Sequence, residues 1–128
     1  MTSHRLGGTL LALAASLSVV LAPTADAEPR TSTLTLAVLG PEGALHVVRL
    51  LCDPPGGTHP APVRACRELA AAGGDFDELG REDGMCTMEY RPVVAVARGD
   101  WDGEPVRWRE RFANPCLMSM GTGTVFDF

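Results

Sequence analysis

The sequence predicts an α+β domain, an antiparallel sheet with one main helix packed on one face. Two features carry this prediction: several short runs of alternating or β-branched residues separated by turn signals, and a single uninterrupted helical segment. Residues 31–39 set threonine or small residues against Leu34, Leu36 and Val38, the period of a half-buried strand. Gly40-Pro41-Glu42-Gly43 is a turn, and Ala44 to Cys52 follows as a hairpin partner. From Asp53 to Pro62 the density of proline and glycine forbids a helix or a central strand. Val63 to Ala72 is the main helix, with Pro62 at its start and Gly73-Gly74 to stop it. Asp75 to Gly84 reads as an acidic irregular stretch with one helical turn around Phe76–Leu79. Pro92 to Arg98 is a strand, residues 99–103 (Gly-Asp-Trp-Asp-Gly) a turn, and Val106 to Phe112 the returning strand with Val106, Trp108 and Phe112 at even spacing. After Cys116 an irregular or helical piece leads to an expected edge strand over Thr124–Phe128.

The N-terminal segment is set apart from this domain. His4 and Arg5 precede an uncharged apolar run from Leu6 to Ala22, and Ala25-Asp26-Ala27 supplies small residues two apart. That order reads as a secretory signal peptide over residues 1–27, with the mature domain over 28–128 and a secreted, extracellular location. An uncleaved anchor is the weaker alternative, since no stop-transfer pattern follows; a lipoprotein signal lacks its cysteine.

The four cysteines, Cys52, Cys66, Cys86 and Cys116, all lie in the mature part. An even number in a short exported chain points to two disulfides, with three pairings open. Joining neighbours would close loops worth about 3 and about 3.7 kcal/mol in the chain-entropy model. The net charge is −5 and there is no lysine, which argues against nucleic acid as a partner. Arg107, Arg109 and Arg111 alternate on one strand face and read as solvated.

Catalytic chemistry finds no foothold. Ser32 and Ser119 are the serines of the mature part, and neither sits in a Gly-x-Ser-x-Gly elbow. Of the histidines His46 and His59, the second is wedged in a turn far in sequence from either serine, and nothing singles out a triad. The carboxylates Asp75, Asp77, Glu78, Glu82 and Asp83 fail the calcium-loop pattern because Leu79 stands at a ligand position. Disulfide-bonded cysteines cannot serve zinc. The reading is therefore of a non-enzyme with no metal and no cofactor.

Residues 85–92, Met-Cys-Thr-Met-Glu-Tyr-Arg-Pro, stand out. A half-cystine lies two residues before Met88, and Pro92 biases Arg91 towards extended geometry. A restrained, extended segment with alternating side chains is the form in which proteases read a peptide.

A further pattern runs through Gly57-Thr58-His59-Pro60-Ala61-Pro62, Ala65-Cys66, Leu69, Gly73-Gly74-Asp75, Met85-Cys86, Met88, Tyr90 and Pro92-Val93. It continues with Trp101, Gly103, Glu110-Arg111, Phe112, Asn114, Cys116, Val125-Phe126 and Phe128. In these residues the chain resembles the Streptomyces subtilisin inhibitor family. The resemblance implies a secreted, usually dimeric inhibitor of subtilisin-like serine proteases, and an uncharged methionine at 88 also suits, less well, chymotrypsin-like enzymes. It implies a five-stranded antiparallel sheet, two helices, and disulfides Cys52–Cys66 and Cys86–Cys116. Met88–Glu89 is the implied reactive bond, with Met85, Cys86 and Thr87 contacting the protease upstream and Tyr90 and Arg91 on the leaving side. Asn114 is expected to support the loop. Three residues depart from the family's pattern: Glu89 where an apolar residue is usual, Thr87 where proline is usual, and Pro115 beside Cys116.

Overall fold

A computed structural model describes residues 8, 15–24, 30–80 and 84–128. The expected cleavage site Ala25–Ala27, most of the expected signal peptide, and Glu82 and Asp83 lie outside the described residues. Among the described residues no helix is long and apolar enough to cross a membrane.

Five strands form one antiparallel sheet: β1 (Ser32–Leu39), β2 (Leu45–Cys52), β3 (Gly56–Gly57), β4 (Val93–Trp101) and β5 (Glu104–Phe112), in spatial order β3-β2-β1-β4-β5. The alternation read along residues 31–39 appears in space: Ser32, Leu34, Leu36 and Val38 are buried, and Thr35 and Leu39 are exposed. On the same inner face lie Leu50 and Cys52 of β2 and Val93, Ala95 and Ala97 of β4. Helix α1 (Pro62–Ala71) covers this face with Ala65, Cys66 and Leu69. Helix α2 (Pro115–Thr122) adds Met118.

The turn after β4 is shorter than the five residues expected from sequence. β4 continues through Trp101, which pairs with Glu104, and only Asp102 and Gly103 make the bend. Their φ values of 48° and 82° suit the tight hairpin turn whose twist matches that of the strands.

Thr124–Phe128 is not an edge strand. Residues Gly123–Phe126 form a 3-10 turn that buries Val125 and Phe126 beneath the sheet. Glu68 of α1 holds this turn, accepting from the Thr124 N–H (2.7 Å) and hydroxyl (2.9 Å). Phe126 sits among Phe76, Trp108 and Phe128, with ring centroids 5.5–6.2 Å away. A five-residue run with three apolar residues, Val125, Phe126 and Phe128, fits a strand or a buried turn equally well, and aromatic packing selects the turn. The sheet edge is filled instead by β3, from inside the Pro/Gly-rich stretch.

The Gly57-Thr58-His59 run is explained by that edge. Gly57 has φ 91°, and a Cβ there would collide with the Arg49 carbonyl. The Thr58 hydroxyl accepts from the Arg49 N–H at 2.8 Å, while the Thr58 and His59 N–H groups donate to the Arg49 carbonyl. His59 is buried; its Nδ1 accepts from the Ala61 N–H (3.0 Å), so its Nε2 carries the proton and donates to the Val125 carbonyl (3.1 Å). This histidine ties β3 and the start of α1 to the C-terminal turn. The acidic stretch is structural in the same way. Asp75 caps the 3-10 turn Phe76–Glu78 by accepting from the Asp77 N–H, and Asp77 accepts from the Trp108 indole at 2.8 Å.

Candidate reactive loop

Two disulfides staple the domain. Cys52–Cys66 joins β2 to α1, and Cys86–Cys116 joins the segment before β4 to the first turn of α2. The second sets the position of residues 85–92, which cross from Gly84 to the start of β4 without regular secondary structure.

The segment is displayed outward. Met85 is 100% exposed and Met88 98%, while Tyr90 is 70% exposed. Two large apolar side chains held almost wholly in water, on one short segment, mark a surface suited to a partner. Behind the loop lies a hollow of about 260 Å³, lined by its own residues together with Ala113, Asn114, Leu117 and Met120.

Asn114 spans this hollow. Its side chain is buried, and its Nδ2 donates to the carbonyls of Thr87 (3.2 Å) and Glu89 (2.9 Å), one on each side of Met88. Its Oδ1 accepts from the Leu117 N–H at 2.9 Å, which makes the same residue the N-cap of α2. Pro115 then occupies the first helical position, where its missing N–H costs nothing. The residue is thus anchored through its acceptor and supports the loop through its donors.

Further ties hold the downstream half. The Arg91 N–H donates to the Ala113 carbonyl at 2.8 Å. Arg111, at the end of β5, donates from Nη2 to the Tyr90 hydroxyl at 2.9 Å. Arg91 Nε stands 3.8 Å from Glu89 Oε1, both more than half exposed, so this ion pair contributes little in water. Apart from that ion pair, the contacts named here run to residues 111–116, the end of β5 and the start of α2.

The expected site residues are therefore contiguous, and Asn114 is their neighbour in space. Sequence reasoning missed Arg111, which it assigned to a solvated strand face. The signal was faint: only the register of β4 on β5, which pairs Val94 with Arg111, brings that side chain beside the loop. His59 and the Asp75–Glu78 stretch take structural roles away from the loop. Among the described residues no three His, Cys, Asp or Glu side chains gather as a metal site.

An exposed segment tied by Cys86–Cys116 upstream and by the sheet downstream, and held from behind, is a scaffold for presenting a peptide to another protein's cleft. The chain belongs to the subtilisin inhibitor-like family, whose model matches residues 30–114. It is 48% identical over 89 residues to the protease inhibitor SIL-V1/SIL-V4 of Streptomyces netropsis, covering 67% of this chain and 81% of that protein. It is 43% identical over 124 residues to a probable subtilase-type protease inhibitor of Streptomyces avermitilis, covering 95% and 84%. Among solved structures, Streptomyces caespitosus sermetstatin in complex with Bacillus licheniformis subtilisin matches with a TM-score of 0.64 at 29% identity, over 77% of this chain and 100% of that one.

Proposed function

We propose that residues 28–128, released from a signal peptide over 1–27, form a secreted inhibitor of subtilisin-like serine proteases with Met88–Glu89 as its reactive bond. The observation that carries this reading is the Asn114 amide, which holds the carbonyls of Thr87 and Glu89 around the Met88–Glu89 bond. Met88 enters the enzyme's primary pocket, Met85 fills an apolar pocket upstream, Cys86 and Thr87 lie along the acyl side, and Tyr90 and Arg91 along the leaving side.

The energetics explain why such a loop inhibits. Ordering the seven residues Met85–Arg91 from a flexible peptide costs roughly 7–14 kcal/mol, at about 1–2 kcal/mol each. That is comparable to the whole of nanomolar binding, about −12 kcal/mol. A loop already held by Cys86–Cys116 and Asn114 avoids most of this cost. The enzyme's serine can attack the Met88 carbonyl in its oxyanion hole. The amine released at Glu89 stays tied to the same platform, so resealing competes with hydrolysis.

Methionine is long, uncharged and flexible, which suits the broad apolar pocket of subtilisins and less well that of chymotrypsin-like enzymes. A pocket built around a buried carboxylate would be left unpaired. The reading also includes a homodimer. Leu39, Leu45 and Val47, 39–62% exposed on the outer face of the sheet, support a second copy packing there. Sedimentation of the mature protein tests this: a dimer that Val47→Glu dissociates is expected, and a monomer at all concentrations overturns it.

The test of function is a titration of the oxidised mature protein against active-site-calibrated subtilisin, with sequencing of any nicked product. Stoichiometric loss of activity with a slow nick between Met88 and Glu89 is expected. Undiminished subtilisin activity overturns the reading, and rapid complete digestion makes the protein a substrate.

A further inference from the structure

We propose that Arg111 is a positioning residue for the leaving side of the reactive loop: by clamping the Tyr90 hydroxyl it keeps the amine of Glu89 in place after cleavage and thereby favours resealing. This rests on Met88–Glu89 being the reactive bond.

The geometry separates the two halves of the loop. Upstream of the bond, the chain is held covalently by Cys86–Cys116 and by the Thr87 carbonyl on Asn114. Downstream there is no covalent tie until the sheet begins at Val93. The segment Glu89–Pro92 relies on noncovalent contacts: the Glu89 carbonyl on Asn114, the Arg91 N–H on Ala113, and the Tyr90 hydroxyl on Arg111. The first two act on backbone. Among the described residues, only the Tyr90–Arg111 contact fixes a leaving-side side chain to the body of the domain, through the end of β5.

Its consequence is clearest in the chemistry. On attack, the enzyme's serine oxygen bonds to the Met88 carbonyl carbon, the Met88–Glu89 C–N bond breaks, and the Glu89 nitrogen leaves as a free amine carrying the proton taken from serine. Resealing is the reverse: the amine attacks the acyl ester, the C–N bond re-forms and the serine oxygen regains its proton. The rate depends on how long the Glu89 nitrogen stays within reach of the ester carbon. An extended backbone points Glu89 and Arg91 to one side and Tyr90 to the other. Glu89 therefore leans on Arg91, within the released strand itself, whereas Tyr90 leans on Arg111, outside it. Of these two side-chain contacts, only the second restrains the released strand relative to the domain. In water an exposed bond of this kind is weak. Once a protease covers Tyr90 and excludes solvent, the charge-assisted contact strengthens.

Two measurements test the clamp. The first incubates wild type, Arg111→Ala, Tyr90→Phe and the double variant with catalytic subtilisin and follows the ratio of nicked to intact inhibitor at equilibrium. Each single variant is expected to raise that ratio about three- to tenfold, with the double variant no worse than either single one, and Arg111→Lys to restore part of the loss. Melting temperatures that do not follow these ratios separate positioning from a general loss of stability. The second needs no protease. Tyr90 is the only tyrosine, so ring-labelled protein gives one phenol signal, and its carbon shift should move in Arg111→Ala. An unmoved signal, or single variants that stay within twofold of a fully inhibitory wild type, overturns the clamp alone. A wild type that leaves subtilisin active removes the reactive-bond reading and the clamp with it.

Discussion

Met88 and Glu89 differ sharply in what they ask of a partner. Met88 offers an uncharged, flexible side chain almost wholly in water, which loses little on leaving it. Replacing it by lysine is expected to move inhibition from subtilisin towards trypsin-like enzymes, whose buried carboxylate the ammonium would pair; trypsin left fully active by Met88→Lys would refute the assignment. With Met88–Glu89 as the proposed reactive bond, Glu89 would bring a carboxylate into the protease cleft, and its ion pair with Arg91, at 3.8 Å and largely exposed, would offset little of the desolvation. Glu89→Val is therefore expected to tighten subtilisin inhibition, read as a lower inhibition constant. An unchanged or higher constant would mean that the target's leaving-side surface welcomes the charge.

The element that matters most is the junction of β5 and α2. Its residues 111–116 contribute the disulfide partner, the N-cap and the loop's hydrogen bonds within a span of six residues. Asn114 makes the coupling testable, because its two ends do different work. Asn114→Asp keeps an oxygen for the Leu117 N–H but has no donor for the Thr87 and Glu89 carbonyls. That variant is expected to keep most of its thermal stability while being cleaved faster. Asn114→Ala loses the cap as well, at a cost of about 1 kcal/mol, measurable in denaturant unfolding. Equal cleavage rates for Asn114→Asp and wild type would show that the amide does not hold the loop. The β4–β5 hairpin matters too, since its register brings Arg111 beside Tyr90.

At the scale of the whole molecule, stability rests on one core between the sheet and its covering helices and turns, with two staples. Removing Cys86–Cys116 by a double serine substitution is expected to cost about 2–4 kcal/mol and to turn the inhibitor into a substrate, as unfolding and cleavage assays would show. Stability lost without faster cleavage would confine that bond to a structural role. Phe126→Ala should cost about 3–5 kcal/mol, because the ring is buried among Phe76, Trp108 and Phe128.

Much of this was legible in one dimension. Alternation marked β1 and β5, because a strand with one buried face must repeat every second residue; the turn after β1 marked β2, and β-branched apolar content marked β4. Proline and glycine bracketed α1, since they act on the backbone where they stand. The loop declared itself through a cysteine, an exposed-type methionine and a proline, and the family resemblance pointed to Asn114. What required the tertiary structure were features that local pattern leaves degenerate. The turn at Gly123–Phe126 could have been a strand until aromatic neighbours distant in sequence packed around Phe126. His59 gained its role only when the C-terminal turn offered the Val125 carbonyl. Arg111 looked like a solvated arginine among others, and only strand register set its guanidinium on Tyr90. The sequence by itself determined four strands, the main helix and the place of the loop, because these follow from neighbours along the chain. Tertiary structure decided what supports the loop, because contacts across the sheet depend on register and on residues far apart in sequence.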